Sequence, residues 1–251
     1  MAPMANTADA HEFISYGPSH QVVIVLLLVG GLALVRLGRA FRGDQRGVRL
    51  AKVLSVAVLL ATVPLQLVAF MPGRFDLEHT LPLQLCDLAS FVAAYALWTR
   101  RPWATALTYF WGLTLTTQAI ITPDLSRDFP DRSFMLFWAM HLLIIWAAVY
   151  LTWGLRLAPD WRRYRATVGL TAVWAVSVFS FNHLAGTNYG YLNAKPGSAS
   201  VLDLLGPWPS YVLAEIAIVA AVWALMTWPW VPSARRRGPV GSVQGLEGAS
   251  S

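Results

Sequence analysis

Seven long apolar runs alternate with short polar segments along the 251-residue chain. By residue number they cover 21–38, 50–70, 80–99, 103–121, 134–153, 167–184 and 208–231. Each has roughly the 20 residues that an α-helix needs to cross the hydrocarbon core of a membrane. The pattern therefore predicts an all-α fold, a polytopic membrane protein built as a seven-transmembrane-helix bundle.

The segments that flank these runs give the predicted domain organisation. Residues 1–20 are expected to form an extracellular N-terminal segment, and residues 21–231 the transmembrane domain. Residues 232–251 are basic at first and then rich in glycine and serine, which predicts a disordered cytoplasmic tail.

The positive charges fix the predicted orientation. Fifteen of the nineteen lysines and arginines lie in the segments that follow the first, third, fifth and seventh runs, or within three residues of them. Basic loops stay in the cytoplasm, so this asymmetry places the N-terminus outside the cell and the C-terminus inside. We expect a multi-pass protein of the cell membrane.

Composition supports the membrane interpretation and excludes a nucleic-acid-binding protein. The chain is 56% hydrophobic and 13% charged, whereas a soluble domain carries about 25% charged residues. The net charge of +6 comes from short blocks between apolar runs rather than from one basic face. Cys86 is the single cysteine, so no intramolecular disulfide can form. Nothing in the sequence indicates a cofactor, a bound metal or an obligate protein partner.

Polar residues recur at one predicted depth, toward the outer end of several runs. Such groups are costly in hydrocarbon unless they have partners, so their concentration at one level predicts a wet pocket in the outer leaflet. The members of this layer are Gln66, Cys86, Asp87, Gln118, His141, Asn182, His183 and Glu215. Taken singly, each is also explained as a packing or hydrogen-bonding residue.

Two members of the layer suggest a reaction. An imidazole can take the proton of a thiol and produce a nucleophile able to attack an ester carbonyl. Cys86 and His141 are therefore the candidate catalytic residues, and Asp87 or Glu215 could orient the imidazole. Phospholipid esters lie near the same depth, so a membrane lipid is the expected substrate.

The loop between the sixth and seventh runs has chemistry of its own. Asn188, Tyr189 and Lys195 could form a lid over the pocket, with the lysine contacting a lipid headgroup. A loop that simply packs on the bundle explains the same residues.

Several segments resemble the YwaF family of bacterial integral membrane proteins. They are TLPLQLCDL at 80–88, the histidine-containing FWAMHLLIIW at 137–146, and NYGYLNAKPGSASVLDLLGPWPSYVL at 188–213. That family is similar to a eukaryotic transmembrane group that moves polyunsaturated acyl chains between ether phospholipids. The resemblance implies a nucleophilic cysteine and a histidine two spans later, which correspond to Cys86 and His141. Androgen-induced membrane hydrolases, which use threonine and histidine, are more remotely similar.

Two other functions remain open from the sequence. An intramembrane zinc hydrolase could draw ligands from His79, Asp87, His141 and His183. A transporter or receptor could bind a small polar molecule in the same pocket. Transfer or hydrolysis of phospholipid acyl chains through a cysteine thioester is the interpretation that uses the whole polar layer.

Overall fold

The computed structural model describes residues 12–78, 80–123, 125–196 and 201–230. Over these residues the fold is all-helical, with an isolated bridge between Glu12 and Arg127 and no β-strand. Most of the predicted N-terminal segment and the whole predicted tail, 232–251, lie outside the described residues.

Eight α-helices make up the described part of the chain. They are α1 Pro18–Ala40, α2 Gln45–Ala69, α3 Leu85–Thr99, α4 Pro102–Leu113, α5 Leu115–Ile121, α6 Arg132–Val149, α7 Trp161–Ala185 and α8 Ser210–Thr227. A π-helical turn, Tyr150–Gly154, continues α6. Short 3-10 turns follow α7 and α8.

All seven predicted runs contain helix, but two of them differ from a simple membrane span. Five helical segments in the described part of the chain are long and apolar enough to cross a membrane. The third run, predicted from residue 80, becomes helical only at Leu85, which leaves α3 with 15 residues. The fourth run is broken at Thr114 into α4 and α5. Mean apolarity over a window does not reveal either feature.

Side-chain caps set where several helices begin. Asp44, Asp131 and Asp160 stand immediately before α2, α6 and α7, and each side chain accepts a hydrogen bond from a backbone amide of the first turn. At the other end of α7, Gly186 adopts φ 69°, a conformation that costs glycine little. These local signals lie at the edges of the apolar runs.

Helix α6 lies at the centre of the bundle and packs against α1 through α5. Its buried residues include Ile144 and Ala148, which lie against Gly112 of α4. On the α1 side, a Cβ on Gly38 would come 2.8 Å from the Cα of Gly154. Glycine therefore permits the backbones to meet there, as is common between membrane helices.

Contacts gather the ends of the helices into two layers. At one end, Arg100 after α3 and Leu155 after α6 line a small cavity together with the α1–α2 loop and the first turn of α2, around residues 41–48. At the opposite end, Tyr16 donates a hydrogen bond to the carbonyl of Ile121 (2.8 Å). Helices α2 and α3 pack side by side, and Ser55 Oγ of α2 donates a hydrogen bond to the carbonyl of Ala94 of α3 at 2.8 Å. The short α3 therefore lies alongside a full-length span.

Candidate active site

A cavity of about 230 Å³ lies among α3, α5, α7, α8 and the loop that follows α7. Its walls are mainly aliphatic and aromatic, with few polar side chains. The lining residues are Gln84, Leu85, Cys86, Leu115, Val168, Thr171, Ala172, Trp174, Ala175, Gly190, Leu192, Val212, Glu215, Ile216, Val219, Ala220 and Trp223. A largely apolar pocket with a few polar groups is the usual form of a ligand site.

Cys86 lies in the first turn of α3 and lines this cavity. The sequence predicted a position well inside a helix that starts at Thr80, but the start at Leu85 moves Cys86 to the helix N-terminus. The first amide groups of a helix have no acceptor within the helix. Among the described residues, the backbone N–H groups of Leu85 and Cys86 have no acceptor of any kind.

Glu215 of α8 lines the same cavity as Cys86. It forms no hydrogen bond or ion pair with any other described residue, although it is partly buried. Asp87, the neighbour of Cys86, does not line the cavity, and its carboxylate is likewise without a partner among the described residues. Of the two carboxylates that the sequence offered as orienting groups, the structure thus brings Glu215 to the same cavity as Cys86.

Most other polar side chains of the cavity are used by the protein itself. The hydroxyl of Thr171 donates to the carbonyl of Thr167 (2.9 Å) and accepts from the Trp111 indole (3.0 Å). The Trp174 indole donates to the carbonyl of Leu83 at 3.1 Å. The Trp223 indole donates to Thr114 Oγ1 at 3.0 Å. These groups shape the wall and have no free hydrogen for a ligand.

His141 is buried in α6, with 3% of its surface exposed. Its Nδ1 donates a hydrogen bond to the carbonyl of Phe137 (2.7 Å), and the two rings lie 4.1 Å apart. A carbonyl oxygen can only accept, so Nε2 of the neutral ring carries the free lone pair. His141 does not line the cavity, and within the described chain no hydrogen bond joins it to Cys86. Its helix neighbours Met140 and Ile144 pack in the same hydrophobic cluster as Cys86.

Asn182, predicted as a pocket residue, instead holds the loop that follows α7. Its amide nitrogen donates to Tyr189 O and Asn193 Oδ1, both at 2.9 Å. Its oxygen accepts from Thr187 Oγ1 and Tyr189 N, also at 2.9 Å. All four hydrogen-bonding positions of the buried side chain are therefore occupied by protein.

The same loop is tied to the segment that precedes α3. The Tyr189 hydroxyl donates to the carbonyl of Leu77 (2.7 Å) and accepts from the amide of Leu81 (2.9 Å). Gly190 N donates to Gln84 Oε1 at 3.0 Å. Residues 187–190, 77–78 and 80–84 together form what we call the rim of the cavity.

The predicted lid residues have partners within the protein. The side chain of Asn188 bonds to the backbone of Asn193 and Ala194. The ammonium group of Lys195 lies 3.5 Å from Asp203 and 5.7 Å from the centre of the Tyr211 ring. These contacts hold the described part of the loop, and its role as a lid stays a prediction.

The remaining predicted residues lie elsewhere. Gln118 is half-buried in α5, and the exposed His183 lies in the last turn of α7; neither lines the cavity. Gln66 Oε1 is buried in α2 and has no hydrogen-bond partner within the part of the chain that the structure describes. His79 lies outside the described residues. Among the residues that the structure does describe, no three His, Cys, Asp or Glu side chains are grouped so that they could hold a metal ion.

Sequence reasoning missed Gln84, which stands at the N-cap of α3 and lines the cavity. It also missed Trp174 of α7, whose indole donates a hydrogen bond to the segment that precedes α3. A glutamine two residues before the candidate nucleophile was the available signal for the first. The second depends on contact between distant segments, which a single sequence does not reveal.

Comparison with known proteins gives one match. The model of the TMEM164 family, a family of transmembrane proteins, matches residues 15–227. The matched region includes every described helix and the whole cavity. No curated protein and no solved structure matches the chain. The match does not extend to the YwaF family or to an acyltransferase, but with the apolar helices it makes this a multi-pass membrane protein. The chain belongs to the TMEM164 family.

Proposed function

We propose that this protein transfers or hydrolyses phospholipid acyl chains through a thioester on Cys86. The observation that carries the proposal is the position of the chain's single cysteine. It lies at a helix N-terminus, on the wall of an apolar cavity that also contains the Glu215 carboxylate, which has no partner among the described residues. The thiol, the apolar surface and the carboxylate match the needs of acyl transfer from a lipid.

Burial in the apolar cavity disfavours a thiolate, and the start of α3 acts against that effect. The N-terminus of a helix carries a partial positive charge, and this lowers the free energy of a nearby thiolate. Cys86 is in the first turn, where that effect is largest. Leu85, Leu115 and Ile216 supply apolar wall on three different helices, against which an acyl chain can bury its methylene groups.

Two side chains can serve as the base. His141 has the correct tautomer, with Nδ1 tethered to Phe137 and Nε2 free to accept a proton. Direct transfer from Cys86 requires the two residues to approach, or one water to bridge them. Glu215 already shares the cavity with Cys86 and accepts no hydrogen bond from any other described group.

The chemical step balances without a cofactor. The base takes the thiol proton, and the sulfur attacks the ester carbonyl carbon, so a C–S bond forms. The tetrahedral intermediate collapses, the ester C–O bond breaks, and the leaving oxygen takes the proton from the base. The lysolipid departs and a thioester remains on Cys86. A lipid hydroxyl or water then attacks the thioester and regenerates the thiol.

The proposed setting is the cell membrane, with seven crossings, the N-terminus outside and the C-terminus in the cytoplasm. The two layers of helix ends support this arrangement. The layer formed by Arg100, Leu155 and residues 41–48 adjoins the basic loops, and the layer that includes Ile121 lies opposite. The rim and Cys86 then face the outer side, near the lipid esters of the outer leaflet. The resemblance to YwaF proteins and to ether-lipid acyltransferases supports the same chemistry.

The test is to incubate the purified protein with a phospholipid that carries a labelled acyl chain. We expect a hydroxylamine-sensitive adduct that maps to Cys86, and we expect Cys86→Ser to lose it because serine is a poorer nucleophile. His141→Gln and Glu215→Gln separate the two candidate bases, since the variant that lacks the base forms the adduct roughly 100-fold more slowly. His183→Gln is the matched control and should behave as the wild type, because this exposed histidine does not line the cavity.

Lipid turnover by Cys86→Ser at the wild-type rate would overturn the proposal. Activity that a chelator abolishes and that Cys86→Ser retains would indicate the zinc hydrolase instead. Saturable binding of a small polar molecule, without any adduct or turnover, would indicate a transporter or receptor.

A further inference from the structure

Gln84 is the cavity residue whose side chain combines a fixed orientation with an unused donor. Gly190 N donates to its Oε1 at 3.0 Å, which holds the amide group in place. The amide nitrogen has no hydrogen-bond partner among the described residues, and Gln84 lines the cavity. A primary amide carries two N–H donors, so both remain available to whatever occupies the cavity.

The position of Gln84 relative to Cys86 gives these donors a use. Gln84 is the N-cap of α3, and Cys86 follows two residues later in the first turn. The backbone N–H of Cys86 also has no acceptor within the described chain. When sulfur attacks an ester, negative charge develops on the former carbonyl oxygen, directly beside the nucleophile. Donors held in advance at that point stabilise the transition state more than the substrate.

We infer that the Gln84 side-chain amide and the Cys86 backbone N–H form the oxyanion hole of the acyl-transfer site. The inference rests on the proposed function and names a further catalytic residue for it. As the C–S bond forms, the carbonyl π electrons move to oxygen, and that oxygen accepts both N–H groups. As the ester C–O bond breaks, the electrons return to restore the carbonyl of the thioester. The same donors serve when the acceptor hydroxyl or water attacks that thioester.

The rim explains why the amide is well placed for this role. Gly190 belongs to the loop that Asn182 and Tyr189 hold, and Tyr189 also binds the backbone on the other side of the rim. The acceptor half of Gln84 is therefore fixed by a rigid partner, and the donor half is left for the substrate. Preorganised donors avoid the cost of reorientation during the reaction.

Gln84→Glu is the informative variant, because a carboxylate keeps the acceptor for Gly190 N–H and removes the donors. Gln84→Ala removes both, and Gln84→Asn keeps an amide but shortens its reach. We expect Gln84→Glu and Gln84→Ala to lower kcat for lipid turnover by roughly 100-fold or more, with KM little changed, because one oxyanion donor is lost. The Cys86 sulfur can add to the carbonyl carbon of a fatty aldehyde, and the resulting hydroxyl oxygen then lies in the oxyanion hole. Such an aldehyde should inhibit both variants less strongly than the wild type.

A structural role for Gln84 predicts a different order. If the amide only anchors Gly190, Gln84→Glu will retain wild-type kcat and aldehyde inhibition while Gln84→Ala loses both, and that result overturns the inference. The proposed function is tested separately by the wild-type protein: absence of a Cys86 adduct there defeats the acyltransferase itself. An adduct in the wild type with unchanged kinetics in Gln84→Glu defeats the oxyanion hole and leaves the acyltransferase standing.

Discussion

Asn182 shows how much one buried side chain can fix. It makes four hydrogen bonds to three residues of the loop that follows α7, and 1% of its surface is exposed. Removing one partner from a buried hydrogen bond costs about 1–3 kcal/mol, because the other partner stays unsatisfied. The loop in turn orients Gln84 through Gly190. Asn182 therefore contributes both to stability and to the geometry of the proposed catalytic site.

We predict that Asn182→Leu, which keeps the size of the side chain, lowers the free energy of unfolding by about 2–4 kcal/mol, because Tyr189 N and Tyr189 O both lose a partner. Thermal unfolding in detergent measures the effect. Ser180→Ala is the control on the same helix: this serine is exposed and bonds only within its helix, so the change should stay within about 0.5 kcal/mol. Equal stability of the two variants would show that the network contributes nothing.

At the level of single residues, the sequence predicted part of the cavity. Ionisable groups are rare inside apolar runs, and this rarity pointed to Cys86 and Glu215, which do line one cavity. The same reasoning placed Asn182 and His183 in the pocket, where neither lies. Depth along a run was estimated from composition, but which side of a helix faces the cavity depends on packing. The direct pairing of Cys86 with His141 stays a prediction.

Among the elements, the α1–α6 contact depends on glycine. Gly38 meets Gly154 so closely that an added Cβ would lie 2.8 Å from backbone, and backbone cannot rotate away as a side chain can. A Cβ added to Gly31, two turns earlier on α1, would have no neighbouring atom nearer than 3.7 Å. The two glycines thus provide a matched pair within one helix.

We predict that Gly38→Ala destabilises the protein by about 1–3 kcal/mol, because α1 must move away from the end of α6. Gly31→Ala should be neutral or stabilising by up to about 1 kcal/mol, since alanine is the better helix former. Chemical unfolding of both variants, followed by circular dichroism, gives the comparison. Destabilisation by Gly31→Ala as large as that by Gly38→Ala would show that close approach is not the cause.

The elements were predictable where the signal was long and local. Apolar runs gave α1, α2, α6, α7 and α8 nearly in full, and capping aspartates mark three starts. The sequence contained no sign of the break at Thr114, where one of the side-chain contacts is tertiary. Its hydroxyl bonds to the carbonyl of Phe110 and accepts the indole of Trp223 on α8, a residue more than a hundred positions away. Hydropathy contains no information about such contacts.

The arrangement of the whole molecule gives a prediction about topology. In a Cys86→Ser background, Ser126→Cys should react with a membrane-impermeant thiol reagent added to intact cells. Gln45→Cys should react only after the cells are opened. Both side chains are exposed in the structure, so a difference in labelling reports the side of the membrane rather than burial. Labelling of Gln45→Cys from outside would reverse the orientation.

A third position tests whether the short helices cross the membrane. Helix α3 has 15 residues and spans about 22 Å, which is less than the roughly 30 Å hydrocarbon core. Arg100, which follows α3, nevertheless lines one small cavity together with Gln45, so the end of α3 lies near the start of α2. Arg101→Cys should therefore match Gln45→Cys and be protected from the external reagent. Reaction from outside would mean that α3 and α4 enter and leave on one side.

The rim bonds have an evolutionary consequence, because most of them end on backbone atoms. Trp174 reaches the carbonyl of Leu83, and Tyr189 reaches the backbone of Leu77 and Leu81. Every residue has a carbonyl, and every residue except proline has an amide hydrogen. For these bonds, selection therefore acts on the two side chains, Trp174 and Tyr189, and hardly on the residues whose backbone atoms they bind. An alignment of relatives should thus keep the tryptophan and the tyrosine, while positions 77, 81 and 83 drift among apolar residues, and only proline should be barred from position 81.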